Sequence, residues 1–496
     1  MEAVIFMAEP VQSHPLREPS TASAHTQASA AGPTATPAPR TSLRPLIGVL
    51  VAAGSVGALL AWHLPMPMAG AAALVILCIG LWATAAVPEY WPALAFFLLA
   101  TLFQLAPAQT VFSGFHSSTF WLFFGGIVLG IAIRHTGLGQ RIALLLSGRL
   151  GTTYSGVIVR VTLAGLVLAF LLPSSMARIF LLLPLIVALA DRLDYRPGSN
   201  GRTGMLIAAI FGTWAPAFSI LPSNAPNMIL AGMAENLYGQ QFSYWSYLSL
   251  HFPVLGLLKA AVVALLVLWM FPDRAPARDA AEERPTPASM SGAERRLLAV
   301  LLGCLLLWLS DGLHGVSPGW IGLGAALYCL WPASGLTPAK CINEQINYAS
   351  LFFVAGIIGL GAVIAATGLG EAAIDWTGRH LELSPDRPLG NALALTAIST
   401  LFAILASLPG VPAIMTPAAA GLADTTGLSL MAVLMTQVLA FSNVLLPYQA
   451  PPLIAAMQMA KLPMAAMTRF CLALFALSAV ALVPLEMAWW RLLGVL

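Results

Sequence analysis

The chain has 496 residues, 59% of them hydrophobic and only 9% charged, with a formal net charge of +3 and a mean hydropathy of +0.84. A soluble protein of this size carries about a quarter charged residues, so a water-soluble globular fold is excluded and no nucleic-acid partner is expected. Five scattered cysteines (Cys78, Cys304, Cys329, Cys341, Cys471) form no C-x-x-C pair and read as packing thiols.

In chain order, residues 1–42 come first. "STASAHTQASAAGPTATPAPRTS" is Ala, Ser, Thr and Pro without periodicity, which predicts a disordered cytoplasmic tail. The opening "MEAVIFMAEP" has no basic n-region and too short an apolar core for a secretory signal. From about residue 44 onward, apolar stretches of bilayer-spanning length recur. Candidate spans run roughly 45–62, 69–87, 91–106, 118–135, 203–220, 248–271, 295–312, 318–332, 349–367, 428–445 and 465–490. The fold class is therefore an all-α polytopic membrane protein of about 11 transmembrane helices. Its parts are the tail, an N-terminal helix plus first repeat (43–271), a cytoplasmic linker (272–294) and a second repeat (295–496).

Between the spans at 118–135 and 203–220 lies "YSGVIVRVTLAGLVLAFLLPSSMARIFLLLPLIVALAD". Its second part, 176–190, gives about 22 Å of helix against a hydrocarbon core of about 30 Å. With the break at Pro173-Ser174-Ser175, the segment reads as a re-entrant hairpin. Irregular backbone at membrane depth is tolerated only where protein or a watery cavity surrounds it. Arg178 lies one helical turn beyond that break, and a guanidinium there is costly unless it is paired. Two readings stay open: it reaches a headgroup or caps nearby carbonyls, or it sits at a binding site.

Loop charge sets the orientation. With a cytoplasmic N-terminus and a re-entrant hairpin, one side collects Arg134, Arg141, Arg149, Arg192, Arg196, Arg202, the linker arginines, Lys340 and Lys461. The other keeps Lys259, Arg379, Arg387 and Arg491.

The chain is also written twice. "STFWLFFGGIVLGIAIRHTGLG" (118–139) aligns with "ASLFFVAGIIGLGAVIAATGLG" (349–370) at an offset of 231. "LPLIVALAD" (183–191) matches "TPAAAGLAD" (416–424) at an offset of 233, pairing Ser174 with Ser407, and "LPSNAPNMILAG" matches "LPYQAPPLIAAM". Each repeat holds a hairpin and a broken helix, and an odd number of crossings between them makes the repeats inverted. Paired interrupted segments of this kind point to a transporter's midplane site.

At these residues the sequence resembles the divalent anion/sodium symporter family, which includes dicarboxylate, citrate and sulfate carriers within the ion transporter superfamily. That family has a Ser-Asn-Thr triplet at each hairpin tip, ten residues before a proline. Here Ser174-Ser175-Met176 precedes Pro184 and Ser407-Leu408-Pro409 precedes Pro417. The family's (Ser/Thr)-Pro-Pro-Asn breaks correspond to Asn224-Ala225-Pro226-Asn227 and Gln449-Ala450-Pro451-Pro452. The resemblance implies a possible sodium site at Ser174, Ser175 and Asn224, with Ser407 and Gln449 as counterparts and no other cofactor. Substrate-binding candidates are Ser174, Ser175, Arg178, Asn224, Asn227, Ser407 and Gln449. Met176, Leu408 and Pro409 cannot donate side-chain hydrogen bonds to a carboxylate.

The expected function is secondary transport of a small anion, di- or tricarboxylate or sulfate-like, by a homodimer in the inner membrane with an elevator-type movement and sodium coupling. The alternative is an exchanger or uniporter in which Arg178 replaces the coupling cation. A membrane-embedded enzyme would need a catalytic cluster at membrane depth, which the sequence lacks, and closed hairpins argue against a channel. No P-loop signals ATP coupling. The histidines fall at span ends or in loops, and none is placed to relay protons.

Overall fold

In the computed structural model, residues 43–147, 153–273, 289–372 and 383–496 are described, and every regular element among them is helical. Residues 1–42, most of the linker, Arg149 and Arg379 lie outside the described residues. The first three helices, α1 (Leu43–Leu60), α2 (Met66–Thr84) and α3 (Tyr90–Leu102), are apolar on nearly all faces. The first repeat follows with α4 (Ser118–Thr136) and α5 (Leu138–Ser147). Its hairpin is α6 (Tyr154–Leu171) and α7 (Ser175–Arg192); its broken helix is α8 (Asn200–Trp214) and α9 (Ala225–Tyr238). It closes with α10, a continuous helix over Tyr244–Met270.

The second half repeats this order. It contains α11 (Gly292–Leu309), α12 (Pro318–Leu330) and α13 (Tyr348–Ala366). Its hairpin has α14 (Pro388–Ala406) as first limb, and α15 (Gly410–Met415) with α16 (Ala419–Thr426) as second. Its broken helix is α17 (Leu430–Phe441) and α18 (Pro451–Ala460), followed by α19 over Met464–Leu492. Among the described residues, 7 helices are long and apolar enough to cross a membrane, and α6 and α14 are among them.

Length therefore does not identify the hairpins. The second limb α7, expected over 176–190, runs 18 residues with Pro184 inside it. Return to the starting side identifies them instead. Tyr154, at the start of α6, packs its ring 6.0 Å from that of Tyr195, just past α7. In the second hairpin, Asn391 donates through Nδ2 to the Ser384 carbonyl at 2.7 Å and to the Thr426 carbonyl at 3.0 Å, joining entry to exit. The two hairpins meet the flanks of α10 at different points. Tyr154 donates its hydroxyl to Phe271 O at 2.8 Å, beyond the C-terminal end, whereas Tyr238, before the N-terminal end, donates to Thr416 O at 2.7 Å.

Helices that begin inside a membrane need internal caps, because no water reaches their free N–H groups. Ser174 caps α7 and Asn224 caps α9, their side-chain oxygens accepting from Ala177 N at 3.3 Å and Asn227 N at 3.1 Å. Small residues let backbones touch where helices cross. A Cβ on Gly165 of α6 would lie 2.5 Å from the backbone of Gly212 on α8, so the hairpin rides directly on the broken helix. All five cysteines are free and buried, as expected.

Two charge assignments change. Lys259, counted among loop cations, is fully buried in α10, so it carries no orientation signal. His251, expected at a span end, is also fully buried in α10, eight residues earlier.

Candidate functional site

The first tip is built from backbone that cannot bond to itself. Leu172 and Pro173 separate α6 from α7, and the Ser223-Asn224 break separates the two halves of the facing helix. Both leave carbonyls without intrahelical donors. Arg178, with no solvent exposure, fills that gap. Its Nη1 donates to the Leu172 carbonyl and, at 3.0 Å, to the Ser223 carbonyl; its Nη2 donates to Ser175 Oγ at 3.0 Å. Ser175 Oγ in turn lies 3.5 Å from Ser223 O, and Ser223 Oγ donates to Ala169 O at 2.5 Å. The guanidinium thus stitches tip to break. The ion pairs among the described residues leave Arg178 without a carboxylate, and its Nε has no partner.

Burial excludes a reach to the headgroups, while the other structural role, capping of nearby carbonyls, is what the guanidinium does here. The guanidinium rests on two main-chain oxygens and one hydroxyl, an oxygen set of the kind that unwound helices offer a monovalent cation. The candidates Ser174, Ser175, Arg178 and Asn224 are brought together here, with Ser174 and Ser175 half-buried. Asn224 also donates through Nδ2 to Ala217 O at 3.1 Å. Asn227 bonds within its own broken helix: its Nδ2 donates to Phe218 O and Ile220 O, each at 3.1 Å, while its buried Oδ1 has no partner.

The second tip solves the same problem differently. At the position matching Arg178 stands Val411, fully buried and apolar. Gln449 accepts at Oε1 from Leu445 N and Leu446 N, both at 2.8 Å, and donates to Ala403 O of the hairpin at 3.0 Å. Gln449 therefore ties break to hairpin through Ala403 rather than through Ser407. Ser407 is half-buried and holds φ +71° with ψ 167°, a region almost reserved for glycine. The second halves of the broken helices cross over: α18 packs on α7, and α9 packs on α15.

A further polar cluster went unseen in the sequence. Lys259 donates to Ser442 O and Asn443 Oδ1, each at 2.7 Å, just past the end of α17. On the same helix, His251 Nδ1 lies 2.8 Å from Glu486 Oε1 of α19, and Trp490 Nε1 donates to that oxygen at 3.2 Å. The available signal was simple: Glu486 and Lys259 are ionisable residues inside apolar runs, and such residues are functional candidates by default. Both long helices carry a π-helical turn beside these residues, at Phe252–Leu258 and Ser478–Leu482, a distortion often found at functional sites.

Residues 49–496 match the family model described as the sodium:sulfate symporter transmembrane region. The chain belongs to that family. As a member of the sodium:sulfate symporter family it is a membrane transporter and not an enzyme. It is 25% identical over 353 residues to a membrane protein of Cupriavidus necator, an alignment covering 68% of each chain. It is 27% identical over 263 residues to inner membrane protein YbhI of Escherichia coli K12, covering 51% of this chain and 55% of that one. An L-tartrate/succinate antiporter of Escherichia coli UTI89 is 26% identical over 291 residues, covering 54% of this chain and 56% of the relative. The match thus spans about half the length of these last two relatives. The crystal structure of the Alcanivorax borkumensis YdaH transporter shares the fold, with a TM-score of 0.52 at 16% identity, covering 86% of this chain and 98% of that one.

Proposed function

We propose that this chain exchanges small organic dianions across the inner membrane, with Arg178 standing permanently where a symporter would bind its coupling cation. The observation that carries the reading is the guanidinium on Leu172 O, Ser223 O and Ser175 Oγ. A relative named as an L-tartrate/succinate antiporter adds support for exchange and for a dicarboxylate substrate.

The physical consequence follows from charge. A bound sodium ion leaves with its substrate, so an empty symporter can return uncharged. A tethered cation cannot leave. An empty site would then cross the low-dielectric interior with unbalanced charge, which is costly. A bound dianion takes that charge from +1 to −1, so the guanidinium offsets half of the substrate's charge, and exchange is the reading in which no coupling ion has to be released with the substrate. Substrate oxygens would meet Ser174 and Ser407 at the half-buried tips.

In this reading the hairpins enter from opposite sides as inverted repeats and move together as an elevator in each protomer of a homodimer, with the N-terminus cytoplasmic. The test is counterflow into liposomes holding the purified protein. Radiolabelled succinate should enter only when unlabelled dicarboxylate is inside. Equal uptake into empty and preloaded vesicles would reject exchange.

A further inference from the structure

We propose that Lys259 is a second fixed cation of the transport site, set on the carbonyl end of α17 as Arg178 is set on the first tip. The inference rests on the exchange reading and extends it to the other half of the molecule.

Three observations lead to it. First, Lys259 is fully buried in a membrane helix, yet it donates to Ser442 O and Asn443 Oδ1, each at 2.7 Å and both uncharged. An ammonium buried among apolar helices would not be retained for packing alone. Second, these acceptors lie where α17 stops and the break begins, at the negative end of the helix dipole. Asn443 is itself held there, its Nδ2 donating to Leu439 O at 2.9 Å, which turns its Oδ1 toward the ammonium.

Third, the repeats treat this point differently. The residues matching Ser442 and Asn443 are Ala217 and Phe218. Their carbonyls accept from neutral donors, the Asn224 and Asn227 amides and the Tyr247 hydroxyl, at distances of 3.0–3.1 Å. The half that has Arg178 at its tip thus closes its helix end with neutral groups. The half with Val411 at its tip closes its helix end with a cation. The first repeat supplies both cations, and each meets the broken backbone of a different half at a different point of the same motif.

The nearby acid is Glu486, which interacts electrostatically with Lys259 but makes its contacts with His251 and Trp490. It belongs to the surroundings of Lys259 rather than to a direct ion pair.

The test uses full-length protein in liposomes and succinate counterflow, with Lys259→Ala and Lys259→Met. Losing a buried charge-assisted contact should lower succinate affinity about tenfold or more in both variants. In Lys259→Ala, which leaves room, ethylammonium or Na+ should restore part of the loss; in Lys259→Met, which fills the space, neither should. Unchanged affinity in Lys259→Met, or a loss in Lys259→Ala that neither cation restores, overturns the proposal. So does failure of both variants to give monodisperse protein, because the charge would then be a folding element. Arg178→Ala run alongside separates the two ideas. Rescue there but not at Lys259 leaves the exchange reading standing and removes this one. A wild-type requirement for Na+ removes the exchange reading, while ethylammonium rescue still decides the role of Lys259.

Discussion

The two hairpin tips share a topology and divide the chemistry. At the first, the group that satisfies the broken backbone comes from the hairpin itself, as Arg178 reaches back to Leu172 and across to Ser223. At the second, the matching residue is Val411, and the work passes to Gln449 from the break and Lys259 from α10. A duplicated architecture thus fixes where helix ends must be satisfied, but not which residue satisfies them. Whether the group is charged or neutral then decides what the site can bind.

The largest expected effect separates a charged stitch from a neutral one. Arg178→Gln removes the first tip's cation and leaves two buried carbonyls short of donors. Succinate affinity should fall by about tenfold to a hundredfold, because hydrogen bonds from charged groups contribute about 1.5–3 kcal/mol. Arg178→Lys should fall less in charge-dependent affinity but still lose the forked contact to two oxygens. Isothermal titration on the purified variants measures both, and equal affinities in wild type and Arg178→Gln would remove the distinction between the tips.

The neutral stitch should matter for stability more than for affinity. Gln449→Leu strands the Leu445 and Leu446 N–H groups and the Ala403 carbonyl, each costing about 1–3 kcal/mol when buried. Its thermal midpoint in detergent should drop by several degrees while the Arg178 contacts persist. A variant that melts like wild type would mean that water replaces the amide at that break.

A smaller contrast lies in the tip serines. Ser407 sits at φ +71°, so Ser407→Gly should relieve strain and stabilise by up to about 1 kcal/mol. Ser174 has ordinary extended backbone and caps α7, so Ser174→Gly should instead cost a few tenths of a kcal/mol. Opposite signs in the two melting shifts would support the difference in tip geometry; equal signs would contradict it.

The smallest effect comes from a charged contact outside the membrane core, which sets a scale for the buried cations. Arg141 pairs with Glu294 at 2.7 Å at the start of α11. The Arg141 hydrogen bond, helped by the Ser291 backbone, pulls the Glu294 carboxyl down to about 2. A depressed carboxyl contributes stability that is full above its unfolded value of about 4.3 and is lost as pH falls toward the folded value. The stability gap between wild type and Glu294→Gln should therefore hold from neutral pH to about 4.3 and shrink below it. A gap that grows on acidification would reverse the sign.

Much of this was legible in the sequence because membrane helices advertise their interruptions. Pro173-Ser174-Ser175, Asn224 and Ser407 were placed at breaks by composition alone, and the structure puts helix ends there. The partners of those breaks were harder to see. Arg178 left two readings open because a sequence shows a buried charge but not the carbonyls it meets. Loop counting takes in Lys259 although it lies inside the span over 248–271, and it gives no sign of His251 on the same helix. Their partners lie 183 to 235 residues away, a pairing that periodicity and spacing do not encode.

On the exchange reading, the first tip carries its own cation. Succinate counterflow in liposomes, measured with Na+ and again with choline in its place, tests it directly on wild type and Arg178→Ala. Wild-type rates should be equal in both salts, and the Arg178→Ala rate should be low in choline and raised by Na+. A wild-type protein that exchanges succinate only when Na+ is present would contradict it.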